Sequence, residues 1–487
     1  MELFFSTNMK FIIYLALVAA AIASEPLDLA SRRELFVDHY LIDQLDGAEL
    51  RLQVPRDQGT AFAFERQHEG ALCGFVSIIT LPSGGFRAYY RGAYYRGLPI
   101  AMADGSSGEV TAYAESNDGI RWTKPQDNIV LRDAAPATQN LSVMLDPRVT
   151  VPAAERWKAI GGTQKTGLLR YVSADGITWQ KMMEGQPLLP PAKEYRYDSQ
   201  NILLWSETEG KFLCYFRNFK AVPGYGQVRW VSRASSQDFR NWTEDGEMIF
   251  RAANGQPAPI EHLYTNQTTP YQRAPHISVA LAARFMPGRQ VLSAAEARAI
   301  NVDPEYFGDI SDCVLITTRG GLVYDRTFPE GFLRPGLGME NWTSRTNYPA
   351  LNVIQTGAAE MSFFVQRGYG QPTHHLARYT LRLDGFSALH ADYPRAEMIT
   401  KYFRFTGAAL EINYATSAAG SLRFEIQDEL GHPLPGFSLD DAREIIGDQI
   451  SRVVAWRAGS DVSALAGKIV RLRVVMKDAD IFSLRFR

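Results

Sequence analysis

The chain has 487 residues, 46% of them hydrophobic and 21% charged, with a formal net charge of −2. That length accommodates two domains, one of them large, and the composition is that of a folded chain rather than a disordered one. The charge balance argues against a nucleic-acid footprint or a polybasic membrane surface, while 11% aromatic residues suit β-strands and sugar-stacking surfaces equally.

The first element is a targeting segment over residues 1–23. Lys10 flanks an apolar run, residues 11–22, and Ala21-Ile22-Ala23 is a small-x-small cleavage site. The run is shorter than the roughly 20 residues that span a bilayer, so the expectation is an exported protein, secreted or periplasmic. No membrane span is expected in the mature chain, which would start near Ser24.

Residues 24–395 carry two recurrent signals. The first is a hairpin with Asp at a tight turn and Trp opening the next strand. It reads Ser116, Asp118, Gly119, Trp122, then Ser173, Asp175, Gly176, Trp179, and more loosely Ser235, Asp238, Asn241, Trp242. The second is a strand rich in aromatic and branched residues that ends in Gly or Arg-Gly. The two together define a unit of four short antiparallel strands, repeated as a five-bladed β-propeller. The units begin at Gly74, Asn140, Ser199, Pro275 and around Glu360. The long insertion over residues 252–311 contains a short helix capped by Ser293 and is expected to wall a pocket. From residue 396 to 487, alternation of Leu422, Phe424 and Ile426, and of Leu472, Val474 and Met476, describes a β-sandwich. The fold class is therefore all-β: a five-bladed propeller followed by a C-terminal β-sandwich. Cys73, Cys214 and Cys313 are expected to be buried free thiols.

The chain resembles the glycoside hydrolases of families 32 and 43. More closely, it resembles exported bacterial proteins described as glycosyl hydrolase family 32 N-terminal-like. The stretches that carry the likeness are Leu35-Phe-Val-Asp-His-Tyr-Leu-Ile42, Tyr197-Asp-Ser-Gln-Asn201, Ala274-Pro-His-Ile277, Asp325-Arg-Thr-Phe328 with Arg334-Pro-Gly336, Asn413-Tyr-Ala-Thr-Ser417 and Lys477-Asp-Ala-Asp480. The Trp-Met-Asn-Asp-Pro signature of family 32 enzymes is absent, as is a Glu-Cys pair in the third blade. The resemblance implies a carbohydrate substrate or ligand and no nucleic-acid partner.

The first strand of each propeller blade lines the axis, so residues at its entry converge on one mouth. Glu69, Asp198 and Glu360 are the expected catalytic carboxyl groups, since glycoside hydrolysis requires one as acid and one as base or nucleophile. A third carboxylate would raise the acid's pKa. Asn140, Gln200 and His276 are expected to bind substrate beside them. Asp146 either positions substrate or ends a strand. Asp38 either contacts substrate or helps its strand close the ring against the last blade. Arg326, Glu330 and Arg334 either grip an acidic sugar or form a salt-bridged blade corner. The Asp-turn-Trp hairpins are expected to be scaffolding. No cofactor or metal is expected: no Cys pair has ligand spacing, and no loop resembles a Ca²⁺ site. A non-catalytic glycan-binding protein of the same fold is the alternative reading.

Overall fold

The computed structural model describes residues 25–93, 108–132, 134 and 137–487. The expected targeting segment lies outside the described residues. The chain divides into two compact units, Arg51–Ala388 and a second made of Leu389–Arg487 with the chain up to Leu50. Among the described residues no helix is long and apolar enough to cross a membrane.

Arg51–Ala388 is a five-bladed β-propeller. The first three blades are consecutive four-stranded meanders whose innermost strands are Gly74–Thr80, Ser142–Leu145 and Ile202–Ser206. These are the units that apolar runs in the sequence locate. Blades four and five differ from expectation. In blade four, His262–Thr265 and Thr268–Tyr271 both pair with Ala274–Met286, so the run that begins near Pro275 is the second strand. Its outermost strand is Ile249–Ala252, parallel to Val323–Arg326. In blade five, Ile354–Gln355 lies inside Glu360–Arg367, which is again the second strand. The physical reason is the same in both. The inner strands are interrupted by polar residues and proline (His-Leu-Tyr-Thr-Asn-Gln-Thr-Thr-Pro-Tyr from 262, Tyr-Pro-Ala-Leu-Asn-Val-Ile-Gln from 348), so the apolar signal is strongest one strand further out.

The ring is closed by Arg56–Ala63, which supplies the outermost strand of blade five by pairing with His375–Arg382. The expectation that the strand holding Asp38 closes the ring is therefore corrected. Asp38 belongs to the second unit, where it is buried and accepts from the Tyr40 amide at 2.9 Å.

The Asp-turn-Trp hairpins act as scaffolding. Asp118, Asp175 and Asp238 each accept two backbone amides at 2.8 Å from the two and three residues following. The amides of Asn241 and Arg240 hold the Asp238 carboxyl down to about 2. In the third hairpin the serine on the Asp is Ser236, whereas Ser235 donates to Asp245. The tryptophans pack between blades: Trp122 lies 6.0 Å from Phe62 and 5.6 Å from Phe364, and Trp179 lies 6.3 Å from Tyr89. The three cysteines are buried, and none is in a disulfide.

In the second unit the long strands Leu410–Gln427 and Arg471–Phe486 pair over most of their length. Their register breaks between Thr416 and Ser421. Gly420 sits in this break because a Cβ there would lie 2.2 Å from the Asp478 carbonyl oxygen. The alternating residues Leu422, Phe424, Ile426, Leu472, Val474 and Met476 are all fully buried in one core. Glu34–Leu35 and Ile42–Asp46 join the same sheet. Glu411 is buried there among Arg33, Arg485 and Arg487 at 2.7–2.9 Å.

Candidate functional site

The entry ends of the five inner strands surround a cavity of about 240 Å³. Every blade contributes. Phe75 and Arg91 come from blade one, Gln139 from blade two, and Tyr195 and Asp198 from blade three. Tyr264 comes from blade four, and Arg345, Tyr348, Gln366 and Tyr369 from blade five. Glu305 and Tyr306 come from the insertion between Ala274–Met286 and Ile310–Thr318. That insertion carries the short helix Ala294–Ala299, started by a capping box between Ser293 and Glu296. It is anchored by packing of Leu292, Ala297 and Val302 with Tyr306 and Tyr369.

The backbone at this mouth is strained. Phe75, Tyr197, Gln267, Arg345 and Asn347 all have left-handed φ between 51° and 78°, a conformation costly for side-chain-bearing residues and retained where surrounding contacts enforce it. For Arg345 those contacts are visible. Gln366 Nε2 donates to its carbonyl at 2.8 Å, and Asn347 Nδ2 ties the loop to the carbonyls of Ser311 and Asn341.

Asp198 is the expected carboxylate that does line the cavity, at 8% exposure. It accepts from Arg217 Nη2 at 2.9 Å, Tyr195 Oη at 2.6 Å and Gln139 Nε2 at 2.9 Å. Burial alone would raise its pKa. The Arg217 guanidinium and the Tyr195 hydroxyl outweigh burial and hold it below the usual carboxylate range. Asp309 moves the other way. Burial raises its pKa, although Ser344 donates to it and Arg345 and Arg229 are nearby cations. Arg345 is within electrostatic reach of both carboxyl groups.

The remaining expected site residues are not brought together here. Glu69 turns back into blade one, where it is buried and accepts from Tyr90 Oη and Lys124 Nζ, each at 2.6 Å. Glu360 begins a strand whose other end, at Gln366, reaches the mouth. Six residues of extended chain put it about 20 Å away, where it pairs with Arg378 at 3.2 Å. His276 lies seven residues along its strand from Ala283, the partner of Thr265, or about 23 Å from the entry. In both cases the second strand of the blade runs antiparallel to the first, so its start lies at the wrong end of the propeller. Asp146 ends strand Ser142–Leu145 opposite the mouth and is fully buried between Arg148 at 2.7 Å and Lys158 at 3.0 Å. Arg326 is buried against Glu261 at 3.1 Å, while Glu330 and Arg334 are exposed.

Two expected binding residues build the floor instead. Asn140 Nδ2 donates to the carbonyls of Gly162, Tyr197 and Ser199. Gln200 Nε2 donates to Ser77 Oγ at 2.9 Å, and Gln200 Oε1 accepts at 2.7 Å from Gln267 Nε2, which also reaches the Pro349 carbonyl. These amides join all five blades across the axis.

No protein-family model matches the chain, and no curated protein does. Solved structures similar to it include a glycoside hydrolase, with TM-score 0.46 and 10% identity, over 68% of this chain and 92% of that one. An N-acetylgalactosamine deacetylase from F. plautii, in complex with blood group B trisaccharide, aligns with TM-score 0.43 and 13% identity over 69% of this chain and 96% of its own. A fructofuranosidase from Schwanniomyces occidentalis complexed with fructosylnystose aligns over 95% of this chain and 99% of its own, with TM-score 0.35 and 10% identity.

Proposed function

We propose that the chain acts on a glycan at the mouth of its propeller, as an exported glycoside hydrolase-like protein. The observation that supports this is the lining of the mouth. Tyr195, Tyr264, Tyr306, Tyr348 and Tyr369 offer ring faces for the C–H surface of a sugar, and arginine and carboxyl groups between them address its polar substituents. Hydrolysis draws further support from two carboxyl groups within electrostatic reach of Arg345: the pKa of Asp198, which lines the cavity, is displaced downward, and that of Asp309, which is not part of the lining, upward. An ionised carboxylate suits base or nucleophile, and a carboxyl of raised pKa suits acid; glycoside hydrolysis requires both.

The test is a glycan panel presented to wild type, Asp198→Asn and Asp309→Asn, with turnover and binding read separately. Turnover by wild type that both substitutions abolish, with binding retained, is the expected result. The alternative, a non-catalytic glycan-binding protein, is favoured by a different observation: Arg217, Tyr195 and Gln139 already occupy Asp198. Binding without turnover in wild type decides for it, and absence of both removes the two readings together. Export is supported by the leader pattern over residues 1–23 and is tested by N-terminal sequencing of the protein recovered outside the cytoplasm, expected to begin near Ser24.

A further inference from the structure

We propose that the funnel mouth is a receptor for an anionic sugar, a uronate or a sulfated residue, whose negative group is gripped by Arg345 and Tyr348. The inference rests on the glycan reading above and concerns which glycans qualify.

The charge inventory of the mouth carries it. Arg217 is neutralised by Asp198 at 2.9 Å. Arg91 has Glu109 at 3.7 Å and donates to Tyr369 Oη and the Leu72 carbonyl. Arg345 differs from both. It lines the cavity, donates to Ser344 Oγ at 3.3 Å and stacks over Tyr306 and Tyr264 at 4.8 and 5.5 Å. Among the described residues no carboxylate oxygen lies within ion-pair distance of its guanidinium. Behind it, Arg229 is likewise held by rings alone, 4.5 Å over Phe285 and 5.4 Å over Tyr264, and its Nε is buried without a partner. Asp309, a carboxyl within electrostatic reach of both arginines, is engaged by Ser344, and its burial opposes ionisation. Two half-buried cations with no carboxylate in ion-pair contact gain most when an anion joins them.

A neutral donor points at the same place. Tyr348 lines the cavity at 4% exposure, and its hydroxyl is buried with no hydrogen-bond partner. A buried O–H without an acceptor is a defect in a finished core and an asset beside a ligand oxygen. The rings of Tyr306 and Tyr264 and the Ser344 hydroxyl hold the guanidinium at the cavity wall. A guanidinium fork matches the paired oxygens of a carboxylate or a sulfate. A cavity of about 240 Å³ is at the small end for ligand sites, which suits one charged sugar unit rather than a long segment.

The experiment is isothermal titration of the full chain with three methyl glycosides of one sugar: the neutral parent, its uronate and its 6-sulfate. Each is run on wild type, Arg345→Gln, Arg345→Lys and Tyr348→Phe, with thermal melts to establish folding. One charged form is expected to bind about 10- to 100-fold more tightly than the neutral parent, as charge-assisted hydrogen bonds imply. The uronate and sulfate arms identify which. Arg345→Gln should erase that preference, so that charged and neutral forms bind that variant equally, and Arg345→Lys should restore part of it. Tyr348→Phe should weaken the charged form more than the neutral parent. Neutral sugar bound as tightly as the charged forms in wild type overturns this proposal and leaves the glycan reading standing. A preference that survives Arg345→Gln in a folded variant also overturns it. Failure of every sugar, neutral and charged, removes the glycan reading and this one with it.

Discussion

Replacing Asp198 with asparagine separates what this residue does for the propeller from what it does for a substrate. In the Asp198→Asn variant the amide oxygen still accepts from Tyr195 or Gln139, so the local shape persists. The loss is electrostatic: Arg217, whose side chain is 2% exposed, keeps its charge and loses its counter-charge. Leaving one partner of a buried pair alone costs about 3–5 kcal/mol. At about 2.1 cal/mol/K of unfolding entropy per residue, the propeller unit would then melt roughly 4–7 °C lower. Calorimetry at neutral pH measures the shift. Adding Arg217→Met in the same chain should recover most of it, because the unpaired charge is gone. A single variant that melts within about 1 °C of wild type, or a double variant worse than the single, would refute the account of Asp198 as one half of a buried ion pair.

Three further outcomes follow from the structure. In the second unit, Glu411 is held down to about 2: burial would raise it, but Arg485, Ser451 and Arg33 outweigh that effect. Against an unfolded value near 4.3, the carboxylate contributes about 3 kcal/mol, present above pH ~4.3 and lost as pH falls towards 2. Acid titration of that unit's unfolding should lose this component in Glu411→Gln. Gly176→Ala places a Cβ 2.5 Å from Tyr89 Oη at a φ of +73° and disrupts the 2.8 Å bond from that hydroxyl to the Gly176 carbonyl. A loss of about 2 kcal/mol or more beyond that of Gly210→Ser is expected in denaturant unfolding, since the Cβ position at Gly210 is open and its substitution carries only the left-handed backbone cost of about 1–2 kcal/mol. The buried thiols of Cys73, Cys214 and Cys313 should resist an aromatic disulfide reagent in the native protein and react fully after denaturation.

The scaffold was legible because it is written locally. An Asp two residues after a Ser, with Gly and Trp following, states its own hydrogen bonds, and the alternation of Leu422, Phe424 and Ile426 states its own burial. The mouth was less legible because it is assembled from residues that no local pattern distinguishes. Asp198 stood out, being one of four polar residues ahead of a buried strand. Glu360 and His276 were assigned to inner strands that are second strands, and a one-strand error in an antiparallel meander carries a residue to the opposite end of the blade. Arg345 and Tyr348 precede an inner strand that is broken by Pro349 and has little apolar signal. Arg91 ends the second strand of blade one, a place that reads as an ordinary strand terminus until the meander is folded. The left-handed backbone at Phe75, Gln267 and Arg345 has no counterpart in residue type, since none of these is glycine or asparagine.

The closing strand Arg56–Ala63 has a consequence for the order in which the molecule is made. Tyr379 and Asp57, which meet at 3.0 Å across that closure, are 322 residues apart. Joining chain segments so distant costs about 5 kcal/mol of loop entropy in a flexible chain, and no part of that cost is recovered until the last blade exists. During synthesis this strand, the first of the propeller blades to emerge, must wait for the final hairpin. Separating it once engaged opens the whole circle rather than one edge, so the same latch that delays completion of the propeller is expected to slow its unfolding.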